Sequence, residues 1–95
     1  MYVYMMTNAN KSVLYTGVTN DLGRRVLEHR AKIHEGFTKR YNVTLLLLYE
    51  EIPDAASAIA REKQIKSWSR ARKEELIAQA NPFWRDLAGS LEEEG

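Results

Sequence analysis

The sequence contains no cysteine, so neither a disulfide framework nor a thiolate metal site is available to it. Long apolar runs are also missing. The longest, Leu45-Leu46-Leu47-Leu48, is far short of the roughly 20 residues that span a bilayer. The N-terminus lacks a basic region followed by an apolar one, so no secretory signal is expected and a cytoplasmic location is. There are no internal repeats, no low-complexity linker and no composition break that would mark a domain boundary. What remains is 95 residues, 44% hydrophobic and 28% charged, the make-up of an ordinary globular chain. That length buries one core and not two. Residues 1–89 are expected to form one domain, with 90–95 an acidic, frayed tail.

The net charge of +1 conceals an uneven distribution. Without Glu92, Glu93 and Glu94 the balance is 14 Lys and Arg against 10 Asp and Glu, a net +4. Basic residues gather in two groups, one from Arg24 to Arg40 and one from Arg61 to Lys73. With Tyr41 and Trp68 interleaved, these suit a surface for a phosphate backbone. On charge alone they suit two solvated helix faces equally well.

Residues 2–7 and 12–18 are β-branched and aromatic, and Asn8-Ala9-Asn10-Lys11 between them reads as a turn. A hairpin closed about Ala9-Asn10 would set Tyr4 opposite Tyr15, with paired residue numbers summing to 19. A helix should follow from about Asp21 to Ile33, capped by Thr19, Asn20 or Asp21 and stopped at Gly36. Leu22, Val26, Ile33 and Leu27 would supply its buried stripe, while Arg25 and His29, four apart, share another face. A third strand over about Val43–Glu51 is apolar on both faces, which suits a central position. Asp54 should cap a second helix reaching Ser67, with Ala55, Ala58, Ile59, Glu62 and Ile65 inward. A third helix, Ser69–Ala80, would end at Asn81-Pro82, and Phe83-Trp84 would pack back on the core with Trp68. Glu62 is the anomaly. A carboxylate on an apolar face needs a cation, either Arg25 in a structural ion pair or a divalent metal.

Tyr2-Val3-Tyr4, ten residues, then Tyr15-Thr16-Gly17 resembles the paired motif of the GIY-YIG nuclease superfamily. The likeness continues through residues 19–30, 35–43, 58–70 and 81–87, and is strongest to the small single-domain bacterial branch called URI-type. It implies an α+β fold, a three-stranded antiparallel sheet flanked by helices. Tyr4 and Tyr15 match the two motif tyrosines, Arg25 the active-site arginine, Glu62 the metal-binding carboxylate and His29 a basic or polar position. Asn81 is similar to the family's late asparagine, and with Lys39 and Tyr41 it is taken as a candidate substrate contact. Two departures stand out: Tyr-Val-Tyr replaces Gly-Ile-Tyr, and Val18 stands where some relatives carry a lysine beside the second tyrosine.

The resemblance implies a nuclease hydrolysing DNA phosphodiester bonds, with RNA left open as a substrate. One Mg²⁺ or Mn²⁺ held by Glu62, waters and phosphate oxygens matches that ion's habits. Arg25 would grip the phosphate with a planar fork that lysine lacks. Tyr15 would take the proton from water with Tyr4 orienting it, or His29 would take it instead. A phenol is a demanding base: from a reference pKa of about 10, acting at pH 7 needs about 4 kcal/mol of phenolate stabilisation. Taken singly, each residue has an ordinary structural explanation, and only their joint pattern points to catalysis. The competing reading is a nucleic-acid-binding module without catalysis on the same scaffold. With no residues left over for a recognition domain, backbone and shape should be read more than sequence. Branched, nicked, flapped or single-stranded DNA is therefore expected over a defined site, in the broad setting of repair or recombination by family analogy.

Overall fold

Tyr2–Thr7 forms strand β1 and Leu14–Thr19 forms strand β2, paired antiparallel. The computed structural model describes residues 1–31, 40–89 and 91. The hairpin loop is longer than the expected four-residue turn because Asn8 closes it from within. Its Oδ1 accepts from the Ser12 and Val13 amides at 2.9 and 3.3 Å, and its Nδ2 donates to Ser12 Oγ at 2.8 Å. The pairing is consequently shifted by two: Tyr4 faces Gly17 and Tyr15 faces Met6, so paired numbers sum to 21 and not 19. A shift of two preserves side-chain parity, and the two tyrosines still share one face.

Strand β3, Leu45–Glu51, pairs antiparallel with the other side of β1, giving the order β2-β1-β3. It is thus an edge strand, against the expectation of a central one. Its outer edge is nonetheless covered. The Leu87 amide donates to the Leu46 carbonyl at 2.8 Å, and Asp86 Oδ1 accepts from the Leu46 amide at 3.1 Å. A bulge explains the leucine run: Met5 faces Leu48 while Met6 faces Leu46, leaving Leu47 as the extra residue. Leu47 and Leu48 therefore join the same core cluster, with Leu46 in the other.

Three helices complete the described fold, each capped by a side chain that accepts an orphan amide. Helix α1 is Leu22–Arg30 with Asp21 as N-cap, α2 is Ala55–Lys66 with Asp54, and α3 is Arg70–Ala80 with Ser69. The expected extension of α1 to Ile33 and its stop at Gly36 lie outside the described residues. Leu22 and Val26 of α1 pack with Tyr4, Met6 and Leu46, whereas Ala58, Ile65 and Ile77 of α2 and α3 pack with Val3, Met5 and Leu47. The sheet is therefore covered on both faces, which is why β1 is buried along almost its whole length.

Several expected core positions turn out to be exposed. Leu27 is 60% and Ile59 41% exposed, and Ala55 is exposed too. Helix α2 buries Ala58 and Ile65, and Glu62, between them on the same line, is half-buried with its side chain 17% exposed. Trp68 and Trp84 are half-buried against the core as expected, but Phe83 sits on the tip of a turn at 74% exposure. Among the described residues no helix is long and apolar enough to cross a membrane.

Candidate active site

The site is built where β1, β2 and α1 meet. Tyr4 is fully buried at the centre of the sheet, and its ring crosses directly over Gly17 of β2. A Cβ at position 17 would lie 2.6 Å from Tyr4 Oη, 2.7 Å from Tyr4 Cζ and 2.9 Å from Tyr15 Cε2. Only glycine leaves room for both phenols, so Gly17 is a steric requirement of the site. Its signal was present in the sequence as the last residue of Tyr15-Thr16-Gly17, but not the reason for it.

His29, in the last turn of α1 and 3% exposed, places Nε2 3.0 Å from Tyr4 Oη. The three rings close a triangle, with centroids 6.1 Å apart for Tyr4–Tyr15, 5.8 Å for Tyr4–His29 and 5.4 Å for Tyr15–His29. Tyr15 is half-buried and is the more exposed of the two tyrosines. Arg25 lies one helical turn before His29, with its side chain 35% exposed and Nε 3.7 Å from Glu28.

Burial is the main cause that holds the Tyr4 phenol far above the ordinary phenol range. The neighbouring Tyr15 pushes it higher, through charge and a hydrogen bond, while the Arg25 guanidinium pulls it down and the Glu62 carboxylate raises it slightly. Two conclusions follow. Tyr4 therefore keeps its proton at neutral pH, and its hydroxyl is hydrogen-bonded to His29. Moreover, charges from α1 and α2 act on the same phenol, which brings Arg25 and Glu62 into one electrostatic site with the tyrosines.

Glu62 has a side chain 17% exposed, with Lys66 Nζ 3.5 Å from Oε2. Among the described residues no three His, Asp or Glu side chains gather as a ready-made metal cage. A lone, reachable carboxylate suits the donor set of Mg²⁺ or Mn²⁺, which retain water and take substrate phosphate oxygens.

Of the residues taken as substrate contacts, Lys39 lies outside the described residues. Tyr41 is exposed where the chain approaches β3, with the Arg40 guanidinium 5.5 Å from its ring centroid. Asn81 is 5% exposed and its amide is taken up by backbone. It donates to the Leu47 carbonyl at 3.1 Å and the Arg85 carbonyl at 2.7 Å, and accepts from the Arg85 amide at 3.0 Å. Asn81 thus satisfies the carbonyl that the β3 bulge turns out of the ladder.

A family profile described as the GIY-YIG catalytic domain matches residues 1–75. A UPF0213 protein of Natronomonas pharaonis is 40% identical over 77 residues, covering 81% of this chain and 89% of its own. One from Syntrophus aciditrophicus is 38% identical over 82 residues, covering 85% of this chain and 92% of its own. The solution NMR structure of a UPF0213 protein from Bacillus halodurans shares the fold with a TM-score of 0.57 at 27% identity, covering 90% of this chain and 89% of that one.

Proposed function

The chain belongs to the GIY-YIG family, a nuclease-type family, and from that premise we propose that it is a metal-dependent enzyme hydrolysing DNA phosphodiester bonds. The observation that carries the reading is the convergence on Tyr4: Tyr15 and His29 touch it, and the charges of Arg25 and Glu62 both act on it.

In this reading Tyr15, the more exposed of the two tyrosines, takes the proton from the attacking water. Tyr4 keeps its own proton and fixes Tyr15 in place. The competing base is His29, whose Nε2 lies 3.0 Å from Tyr4 Oη, with both tyrosines then serving only to position. Arg25 binds the scissile phosphate and offsets charge that develops on its oxygens. A divalent Mg²⁺ or Mn²⁺ held by Glu62 would supply further charge stabilisation for the phosphoryl group. Tyr41 and Lys39 are proposed to follow the backbone as it approaches the site, and Asn81 serves by holding the β3 edge. A small core with this basic surface grips shape and backbone, so branched, nicked, flapped or single-stranded DNA is proposed over a fixed sequence. RNA is the competing substrate, and the cytoplasm the proposed location.

The test is cleavage of a panel of labelled DNA structures with Mg²⁺, Mn²⁺ or EDTA, beside Tyr15→Phe. Metal-requiring cleavage that fails in Tyr15→Phe supports the reading. Salt-sensitive binding with no cleavage under any condition would instead leave a non-catalytic binding module.

A further inference from the structure

Phe83 is 74% exposed, against 60% for Leu27, the next among the large apolar residues described. An exposed apolar side chain is ordinary by itself. This one is held in place. Asn81-Pro82-Phe83-Trp84 is a tight turn closed by the Trp84 amide donating to the Asn81 carbonyl at 3.0 Å, with proline at the position turns favour. The Asn81 side chain then clamps both backbone groups of Arg85. Trp84 is forced to a left-handed φ of 53°, unfavourable for any residue with a Cβ. A well-anchored turn with a strained shoulder therefore presents one aromatic ring to solvent.

Its surroundings are cationic. The Arg85 guanidinium lies 5.5 Å from the Phe83 ring centroid. Beside the ring runs a shallow cleft of about 430 Å³ lined by Lys11, Arg70, Glu74, Pro82, Phe83 and Trp84. Arg70 reaches across it to donate to the Lys11 and Ser12 carbonyls at 2.7 and 2.8 Å, joining α3 to the hairpin loop. Lys11, which lines the cleft, and Arg85 beside the ring are both exposed. The same loop leads into β2, and Tyr15 is four residues from Lys11, at most roughly 14 Å of extended chain.

We propose that Phe83, backed by Arg85 and flanked by Lys11, is a stacking platform for an unpaired base of the bound nucleic acid, away from the reacting phosphate. An aromatic face with adjacent cations accepts any base that is not already stacked in a duplex, while the cations take the phosphates on either side. This rests on the nuclease reading, because the occupant is the nucleic acid bound at the active site. It adds a second anchoring point and a reason for preferring substrates with unpaired bases.

The experiment measures binding of the full chain, without divalent metal, to a blunt DNA duplex and to the same duplex carrying a single-stranded overhang. Wild type, Phe83→Ala and Phe83→Trp are compared, with sedimentation of each. The wild type should favour the overhang, Phe83→Ala should lose roughly 5- to 100-fold of overhang affinity with blunt-duplex binding unchanged, and Phe83→Trp should restore it. Overhang binding by Phe83→Ala at the wild-type level overturns this proposal and leaves the nuclease reading standing. A wild-type dimer made monomeric by Phe83→Ala overturns it too, by making the tip a contact between two copies. Failure of the wild type to bind either probe overturns the parent reading along with it.

Discussion

Adding a single methyl group at Gly17 should disturb the site more than any surface change of the same size. The Cβ of Gly17→Ala would sit within 3 Å of both tyrosine rings, at 2.6 Å from Tyr4 Oη and 2.9 Å from Tyr15 Cε2. Tyr4 is 1% exposed, packed on α1 and bonded to His29, so its ring has nowhere to retreat. Overpacking of this kind costs about 1–3 kcal/mol, and loss of the Tyr4–His29 bond adds about 1 kcal/mol. Alanine recovers up to about 1 kcal/mol over glycine in a strand. The net is a destabilisation of about 1–3 kcal/mol, which lowers Tm by roughly 5–20 °C in a domain of this size. Displacing the phenols by an ångström should also reduce turnover by about 100-fold. Gly23→Ala is the control, because nothing lies within 4 Å of its added Cβ and α1 gains helix propensity. Thermal unfolding followed by far-UV circular dichroism, with near-UV spectra to report the tyrosine environment, separates the two. The reasoning is refuted if Gly17→Ala melts with the wild type and its near-UV spectrum is unchanged.

Three other expectations follow from the same geometry. Tyr4 holds its proton in the folded state while the unfolded phenol titrates at its ordinary value of 10.0, so above that pH only the unfolded state loses a proton and stability falls as pH rises. Urea midpoints across pH 9–11 should show that slope in wild type and a shallower one in Tyr4→Phe. Asn81→Ala leaves the buried Leu47 carbonyl and both Arg85 backbone groups without their partner, which should lower stability by about 2–4 kcal/mol at unchanged urea m-value. Arg25→Lys keeps the charge but loses the planar fork, so kcat/KM should fall by about 10- to 1000-fold with little change in Tm.

Local chemistry announced much of this fold. Asp54 and Ser69 stand where helix caps are needed, Pro82 sits where α3 must end, and β-branched and aromatic residues over 2–7 mark a strand. What failed was set by tertiary context. Asn8 folds its side chain into the loop and so moves the hairpin register, which no turn propensity foretells. β3 reads as a central strand because both faces of the sheet are covered, although it is an edge strand closed by Asp86 and Leu87, about forty residues later in the chain. Ile59 fits an inward stripe by spacing, yet α2 is rotated so that Ala58, Glu62 and Ile65 face the sheet and Ile59 faces solvent.

Of the site, the motif spacing pointed to Tyr4, Tyr15, Arg25 and Glu62 as candidates, and one helical turn related Arg25 to His29. It could not show that His29 bonds Tyr4, because that contact joins residues 25 apart through the packing of α1 on the sheet. Nor could it distinguish the two phenols, whose difference lies in burial. That difference is the basis for the unlike roles proposed for them, with the enclosed Tyr4 orienting and the more exposed Tyr15 reacting.

The most direct test of the central claim is the single-turnover cleavage rate of Glu62→Gln against wild type in Mn²⁺, with thermal unfolding of both. Glutamine keeps the shape and the half-buried position on α2 while removing the negative charge. The account predicts at least a 100-fold loss of rate, on the scale of losing one strong charge-stabilising group, at a Tm close to that of wild type. Cleavage by Glu62→Gln at the wild-type rate would contradict it and place the chemistry elsewhere on the molecule.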